Sequence, residues 1–353
     1  MNYDVIIIGA GIPGLTTACA LAQKTRLTIA IIDTKPLVPS WTSEQYHHRV
    51  SAIALSTKRI FQNINAWQAM VEQRVSPFNH IQVWDTTSQA NVKFDAAEVG
   101  EPRLGYIVEN NVMQDALIKR LQDFPQVTIH APLIPEELLT HDDYVTIRAD
   151  KTVLKSKLII AADGANSWVR QQAGIKLTTQ DYGHDAIVAT VRTSQAHEQT
   201  ARQVFLNSGP LAFLPLHEPN LSSIVWSMPP EQAQEVLALD DEAFKTKLAA
   251  AFSHHLGEIT EISKRFSFPL KKQRANCYIA SRVALIADAA HTVHPLAGQG
   301  LNVGLLDAAA LVDVITDALQ HNRDFSTTAT LRRYERWRKG ENALMLSGID
   351  SIK

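Results

Sequence analysis

Near-continuous apolar runs, each closed by glycine or a polar break, recur along the chain. Tyr3–Ile8, Leu27–Ile32, Leu158–Ala162 and Val283–Ala287 have the pattern of strands buried on both faces of a parallel sheet. Helical periodicity follows the first run over Pro13–Ala22 and the last over Asn302–Leu319. Between Ile187 and Met228 the pattern changes to short stretches (IVATVRT, ARQVFL, LAFLPL and LSSIVWSM) separated by polar, Gly or Pro breaks, which predicts an antiparallel sheet. IQVWD and NVKFD, between Ile81 and Asp95, predict a further strand pair, and a single helix is expected over Glu231–Phe252. The final stretch, Leu331–Lys353, reads as a basic helix that stops abruptly, as a truncated chain would.

Parallel-sheet pieces at the start, middle and end, with antiparallel pieces between them, predict an α/β fold. A discontinuous Rossmann-like nucleotide domain is expected over residues 1–75, 98–180 and 270–330. A mixed-sheet substrate domain over 76–97 and 181–269 is interleaved with it, and 331–353 forms a C-terminal helix. Hydrophobic residues at 45% against 20% charged allow a substantial core. A net charge of −2 gives no bias toward nucleic acid or acidic lipid, so neither is expected as a partner of the whole surface. Cys19 and Cys277 both sit in apolar segments outside any CxxC or Cys/His cluster, and are expected as buried thiols in a reducing cytosol. The opening MNYDVIIIGAG lacks a basic leader and a cleavage site, and no apolar run reaches spanning length. A cytoplasmic chain is expected, able to lie peripherally against the inner membrane.

Candidate chemistry begins at Gly9-Ala10-Gly11-Ile12-Pro13-Gly14, which follows a buried strand and opens a helix. Gly9 permits the tight turn, Gly11 presents no Cβ to a pyrophosphate, and Gly14 lets helix and strand approach. The helix N-terminus supplies unpaired N–H groups to phosphate. Asp33 ends the second strand, where a carboxylate accepts hydrogen bonds from an adenosine ribose and repels a 2′-phosphate.

Two further motifs follow. Ala161-Ala162-Asp163-Gly164-Ala165-Asn166-Ser167-Trp168-Val169-Arg170 closes the third strand. Ala284 to His291 then runs into His294-Pro295-Leu296-Ala297-Gly298-Gln299-Gly300-Leu301-Asn302 and a helix. With these in order the chain resembles the class A flavoprotein monooxygenases, the para-hydroxybenzoate hydroxylase group. It is most similar to their ubiquinone-biosynthesis branch, and within it to the C5-hydroxylase (2-polyprenylphenol hydroxylase) type. Arg49-Val50-Ser51-Ala52-Ile53, Val108-Glu109-Asn110, Ala212 to Leu216 and Ser223 to Ser227 share that branch's character.

The resemblance implies a glutathione reductase/para-hydroxybenzoate hydroxylase type of FAD-binding fold. It implies FAD as cofactor, NAD(P)H as a transient electron donor, and ring hydroxylation with O₂ through a flavin C4a-hydroperoxide. Asp288 would accept hydrogen bonds from the cofactor's central chain, and Pro295 would face the flavin ring. Gly298, Gln299, Gly300, Leu301 and Asn302 would reach its pyrimidine edge, while Arg49 and Asn110 would contact FAD. Asp163 belongs to a motif tied to both FAD and nicotinamide. The implied substrate is a polyprenylated phenol, and the implied partners are further copies of the chain and other ubiquinone-biosynthesis proteins. One departure stands out: Ala287 precedes Asp288 where the family carries glycine.

The helix expected from Gln299 onward adds a physical reason, since its positive N-terminal end favours the anion of a reduced flavin. His291 and His294 are read as structural rather than as a metal pair, because no third ligand is evident and no metal is expected. His47-His48 and His254-His255 are read as surface residues. Ser167 lacks the GxSxG elbow of a nucleophile. Phe213, Leu214, Val225 and Trp226 are carried as substrate-lining candidates, the sheet that bears them being the roof of the site in the family. Two other readings remain open: a different FAD oxidoreductase of this fold, such as a prenyl reductase or halogenase, and a non-catalytic prenyl-lipid-binding protein.

Overall fold

The computed structural model describes residues 1–88, 90–292 and 300–351, the side chains of 343–351 excepted. A six-stranded sheet has the order Ile279–Ala280, Val283–Leu285, Leu158–Ala161, Val5–Ile8, Ile29–Ile32, Val127–His130. All neighbours are parallel except the first pair. Every residue of Val5–Ile8, Ile29–Ile32 and Leu158–Ala161 is buried, which is why those runs are apolar without alternation. Helices Ile12–Lys24, Asn110–Leu121 and Gly300–Gln320 pack on this core. An antiparallel sheet of Glu137–Thr140, Val145–Ala149 and Thr152–Ser156 adds Leu138, Val145, Ile147 and Leu154 to it.

The large sheet has the order His291–Thr292, Phe266–Ala275, Leu177–Thr193, Leu221–Met228, Gly209–Pro215, Thr200–Leu206, His80–Asp85, Asn91–Asp95, with Ile259–Ile262 paired to Leu177–Thr193. It is antiparallel apart from the contact between Thr200–Leu206 and His80–Asp85. One face lies under helices Pro230–Ala238 and Asp241–Ala251 and buries Trp84, Phe213, Ile224 and Trp226 against Phe244 and Phe252. The other face meets a three-stranded sheet of Val50–Ala54, Gly105–Glu109 and Ser76–Phe78, through Ile81, Ala201 and Leu214 against Tyr46, Val50 and Ile107.

Several expectations change. The helix expected over Glu231–Phe252 is two helices, because Leu239 is extended and the Asp240 carboxylate caps the second one by accepting from the Ala243 N–H at 2.8 Å. Ser76–Phe78 pairs with Gly105–Glu109 rather than with the large sheet. Leu177–Thr193 and Phe266–Ala275 run unbroken through the boundaries expected near 180 and 270. Ala287 leaves its strand for a 3₁₀ turn, Ala287–Ala289. Cys19 is buried, but Cys277 is exposed. No helix among the described residues is long and apolar enough to cross a membrane.

Candidate functional site

The glycine loop has the geometry its spacing demands. Gly9 has φ +105°, and a Cβ there would stand 2.3 Å from the Ala162 carbonyl oxygen. At Gly14 a Cβ would stand 2.0 Å from the Gly9 carbonyl oxygen. Gly11 differs: among the described residues the nearest atom to its Cβ would be Pro13 Cδ at 3.9 Å. Nothing among those residues explains that glycine, so its bareness faces outward, as close approach of a phosphate requires. Asp33 sets the loop by accepting from the Ala10 N–H at 2.7 Å on one oxygen and the Lys35 N–H at 2.9 Å on the other. An ionised carboxylate has further lone pairs, so these bonds leave capacity for ribose hydroxyls. Gln114, which sequence reasoning missed, donates to the Ala10 carbonyl at 3.0 Å.

The Asp163 motif abuts this loop, since the Asp163 nitrogen lies 2.9 Å from the same built Cβ at Gly9. Asp163 Oδ2 accepts from the Val169 N–H at 3.0 Å, while buried Oδ1 has no hydrogen-bond partner among the described residues. Burial raises its pKa above the usual carboxylate range against the hydrogen bonds from Ser167 and the Val169 backbone. Ser167 is fully buried and caps the helix Trp168–Gln172, accepting from the Arg170 N–H at 3.0 Å. Arg170 then spans to the next motif, donating to the carbonyls of Ala289 at 3.0 Å and Ala165 at 2.8 Å.

Asp288 sits in the 3₁₀ turn after the strand Val283–Leu285. Its side chain is open to solvent, yet protein around it is dense enough that burial raises its pKa, with the charges of His291 and Arg49 pulling it back down. Asp288 is thus an exposed carboxylate with the charges of His291 and Arg49 close by. Ala287 has φ +53°, the left-handed conformation in which the family's glycine would be unstrained. Its N–H donates to Asp307 Oδ2 at 3.1 Å, and His291 Nε2 meets the same oxygen at 2.5 Å.

Asp307, fully buried, also accepts from Arg338 Nε at 2.7 Å and Asn342 Nδ2 at 3.2 Å. Burial works against its ionisation, but the charges and hydrogen bonds of His291 and Arg338 hold its pKa below the usual range. His291 is thus a buried structural partner. His294 lies outside the described residues, and no three His, Cys, Asp or Glu side chains converge as metal ligands among those described.

Asn110 and Arg49 are brought together: the Asn110 N–H donates to the Arg49 carbonyl at 3.0 Å, and the Ser51 hydroxyl donates to Asn110 Oδ1 at 2.8 Å. Arg49 is exposed, and its charge reaches Asp288. Its approach is held by buried Glu109, which accepts from the His47 N–H at 2.6 Å and from Arg74 Nε at 2.7 Å. Arg74 was not singled out from sequence, and Glu109 only as part of the segment Val108-Glu109-Asn110. His47 and His48 are half-buried rather than surface residues, His48 stacking on Phe266 with centroids 4.3 Å apart.

Gly300 and Leu301 begin the helix Gly300–Gln320, and Pro295, Gly298 and Gln299 lie outside the described residues. Asn302 spends its side chain on the strand Val50–Ala54, donating to the Ala52 carbonyl at 2.8 Å and accepting from the Ala54 N–H at 3.0 Å. Contact with a cofactor from Asn302 would therefore use its backbone.

The four substrate-lining candidates separate by strand alternation. Phe213 and Trp226 are core residues beneath the two helices, Phe213 stacking on Phe252 at 4.0 Å and Trp226 edge-on to Phe244 at 6.1 Å. They cannot line a site on the opposite face. Leu214 and Val225 belong to that opposite face and are half-buried there.

The bare approach at Gly11, the orphaned oxygen of Asp163 and the open carboxylate of Asp288 fit an extended dinucleotide lying across all three. Comparison with known proteins decides which. Residues 2–343 match the profile of the FAD binding domain family. The chain belongs to the FAD-binding family of flavoprotein monooxygenases. FAD is accordingly its cofactor. The chain is 34% identical to the 3-demethoxyubiquinol 3-hydroxylase of Escherichia coli (strain K12), over 98% of this chain and 88% of that one. It is 37% identical to the ubiquinone hydroxylase UbiL of Rhodospirillum rubrum, over 99% and 80%. Identity to the human mitochondrial ubiquinone biosynthesis monooxygenase COQ6 is 34%, over 99% and 85%. Among solved structures, Pseudomonas aeruginosa PqsL in complex with 2-aminobenzoylacetate superposes with a TM-score of 0.83 at 21% identity, covering 98% of this chain and 94% of the other. That likeness speaks for the fold.

Proposed function

We propose that this flavoprotein hydroxylates the ring of a polyprenylated phenol on the route to ubiquinone. The observation that carries the substrate class is the apolar, half-open face holding Leu214 and Val225, together with the state of the two arginines on the strands beside it. Arg192 is paired with Glu218 at 2.9 Å and Glu261 at 3.0 Å, and Arg202, opposite Phe213 on the helix-covered face, donates to the His197 carbonyl at 2.8 Å. Neither stands ready for a small benzoate's carboxylate, whereas a buried apolar chain gains about 0.8 kcal/mol per CH₂. The names of the relatives support the pathway, and the C5 position is our assignment of regiochemistry from the resemblance.

When bound, FAD supplies the redox chemistry, taking electrons from NAD(P)H and activating O₂. The protein's part is placement. The glycine loop and the first helix hold phosphate, and Asp163 and Asp288 accept hydrogen bonds from the cofactor. The N-terminal end of Gly300–Gln320 favours negative charge beside it. The apolar sheet face keeps water from the ring. A substrate resident in the bilayer brings this chain to the inner-membrane surface from the cytoplasm, in company with further copies of itself and other ubiquinone-biosynthesis proteins.

The test compares prenylated phenols with para-hydroxybenzoate for NAD(P)H oxidation matched by hydroxylated product, with regiochemistry read from the product. Efficient turnover of the small acid with indifference to the prenylated series overturns the substrate class. Flavin reduction without any hydroxylated product would favour a reductase instead.

A further inference from the structure

The face of the large sheet that looks away from its helices carries a row of apolar side chains interrupted by a single glutamine. Phe266 pairs with Val188, Val188 with Val225, and Val225 with Ala212. Ala212 pairs with Gln203, Gln203 with Val83, and Val83 with Val92 on the edge strand Asn91–Asp95. Residues directly opposite across a ladder project to the same face, so these side chains form one line. Six interstrand steps of about 4.8 Å make it about 29 Å long. A second line flanks it through Leu214, Ala201 and Ile81 to Phe94.

Two properties separate this row from ordinary core. Val83, Ala212 and Val225 are half-buried, and none of them joins any of the three hydrophobic clusters, whereas the alternate residues on the same strands are packed under helices. An antiparallel sheet with one wet face should alternate apolar and polar there, and only Gln203 in the row is polar. The ends of the row also differ. At one end Phe266 stacks on His48, next to Arg49, whose charge reaches Asp288 in the cofactor groove. At the other end Val92 and Phe94 are 48% and 51% exposed, and Val99 in the turn that follows is 64% exposed.

We propose that this row is the berth of the substrate's isoprenoid chain, leading from the flavin groove to an outlet at the edge strand Asn91–Asp95. The inference rests on the polyprenylated-phenol reading above and assigns to it a path and an exit. Continuity with the flavin site selects the occupant: a ring held at the flavin can send a flexible apolar tail along this line without crossing packed core. The exposed valines and phenylalanine at the outlet are where the tail would pass to a bilayer. Ala212, small and midway, is the position at which bulk would block the path.

The test uses the FAD-loaded full chain and two readouts. Farnesol, a chain without a ring, is titrated by calorimetry, and KM is measured for phenols bearing successively longer isoprenoid chains in phosphatidylcholine vesicles. Ala212→Phe should weaken farnesol binding about tenfold or more and raise KM increasingly with chain length, as lost CH₂ burial predicts. Phe94→Glu, at a side chain already half exposed, should raise KM for the longest chains most. Leu139→Glu, at an exposed leucine on the separate strand Glu137–Thr140, is the control. Farnesol binding that is indifferent to both variants, or no more affected than in the control, overturns the proposal. So does a Phe94→Glu effect confined to sedimentation, which would make the edge a contact between copies. Loss of farnesol binding in Ala212→Phe, in a protein that hydroxylates no phenol, would sustain the berth and remove the hydroxylation reading.

Discussion

Replacing Gly304 with alanine is expected to destabilise the chain, and replacing Ala287 with glycine is expected to undo the loss. Gly304 lies one turn into the helix Gly300–Gln320, and a Cβ built there would stand 2.6 Å from the Ala287 Cβ and 3.1 Å from its Cα. The first distance is one that real methyl groups do not reach, so Ala287 must move. It is poorly placed to do so, with its N–H on Asp307 at 3.1 Å and its φ already at +53°. Glycine to alanine within a helix gains about 1 kcal/mol of propensity, whereas overpacking costs about 1–3 kcal/mol. The single change should therefore lose up to about 2 kcal/mol, the difference of those terms.

Ala287→Gly removes the 2.6 Å contact and leaves the 3.1 Å one, which a few tenths of an ångström relieves. It also relieves a left-handed alanine, worth about 1–2 kcal/mol, against a glycine entropy cost of about 0.5–1 kcal/mol. The double variant should thus be at least as stable as the parent, with a coupling of about 1 kcal/mol or more in its favour. Urea midpoints of the four proteins, read without FAD and again at saturating FAD, measure the cycle, provided the m-values agree. A Gly304→Ala chain as stable as its parent, or strictly additive changes, would refute the packing argument and with it the placement of Asp288 one residue on.

Among the described residues Asp288 makes no hydrogen bond, so Asp288→Ala should weaken FAD binding by about 1–3 kcal/mol without lowering apoprotein stability; Asp33→Asn should lower both, because Asp33 also holds the Ala10 N–H. A folded-state pKa raised by burial means that Asp288 disfavours folding once pH passes its ordinary value, so Asp288→Asn should stabilise the apoprotein at neutral pH and not in acid. A gain that persists in acid would contradict that sign. Arg338→Leu leaves Asp307 buried with a poorer complement and should cost about 3–5 kcal/mol in thermal unfolding. Asp307, its own pKa depressed, contributes stability present above the ordinary carboxylate range and lost as pH falls through its folded value. Cys277 should react with a thiol reagent in the native chain, while Cys19, buried and with its pKa pushed up to about 12, should react only on unfolding.

What was legible in the sequence was whatever local geometry forces. Gly9 and Gly14 are required by contacts within the loop they form, and the strands flanking them are apolar throughout because both faces are covered. The roof of the site was less legible. Phe213 and Leu214 are both apolar because the sheet is apolar on both faces, so alternation carried no signal of which residue faces which way. Only the register across strands, and the helices above one face, separate Phe213 and Trp226 from Leu214 and Val225. The break at Asp240 was visible in principle, since a capping aspartate stands before an apolar-periodic run. Cys277 was misread because an apolar neighbourhood in sequence does not fix which side of a strand end meets solvent.

The ion cluster at Asp307 could not be read in advance, because its members lie on separate elements that meet only in the folded core. Its arrangement changes the standing of the C-terminal helix Thr328–Ser351. Tyr334 donates to the Leu285 carbonyl at 2.7 Å, Glu335 accepts from the Tyr278 N–H at 2.8 Å, and Arg338 holds Asp307. Leu285 closes the strand that leads to Asp288, and Asp307 binds Ala287 on one side of Asp288 and His291 on the other. The ties of Tyr334 and Arg338 therefore fix both approaches to Asp288. Because Asp307, His291 and Arg338 are each at most 2% exposed, water cannot replace any of them cheaply. A basic helix at the far end of the sequence thus supports the segment that bears Asp288, which is why Arg338, and not only the glycine loop, should govern how well the proposed flavin site keeps its shape.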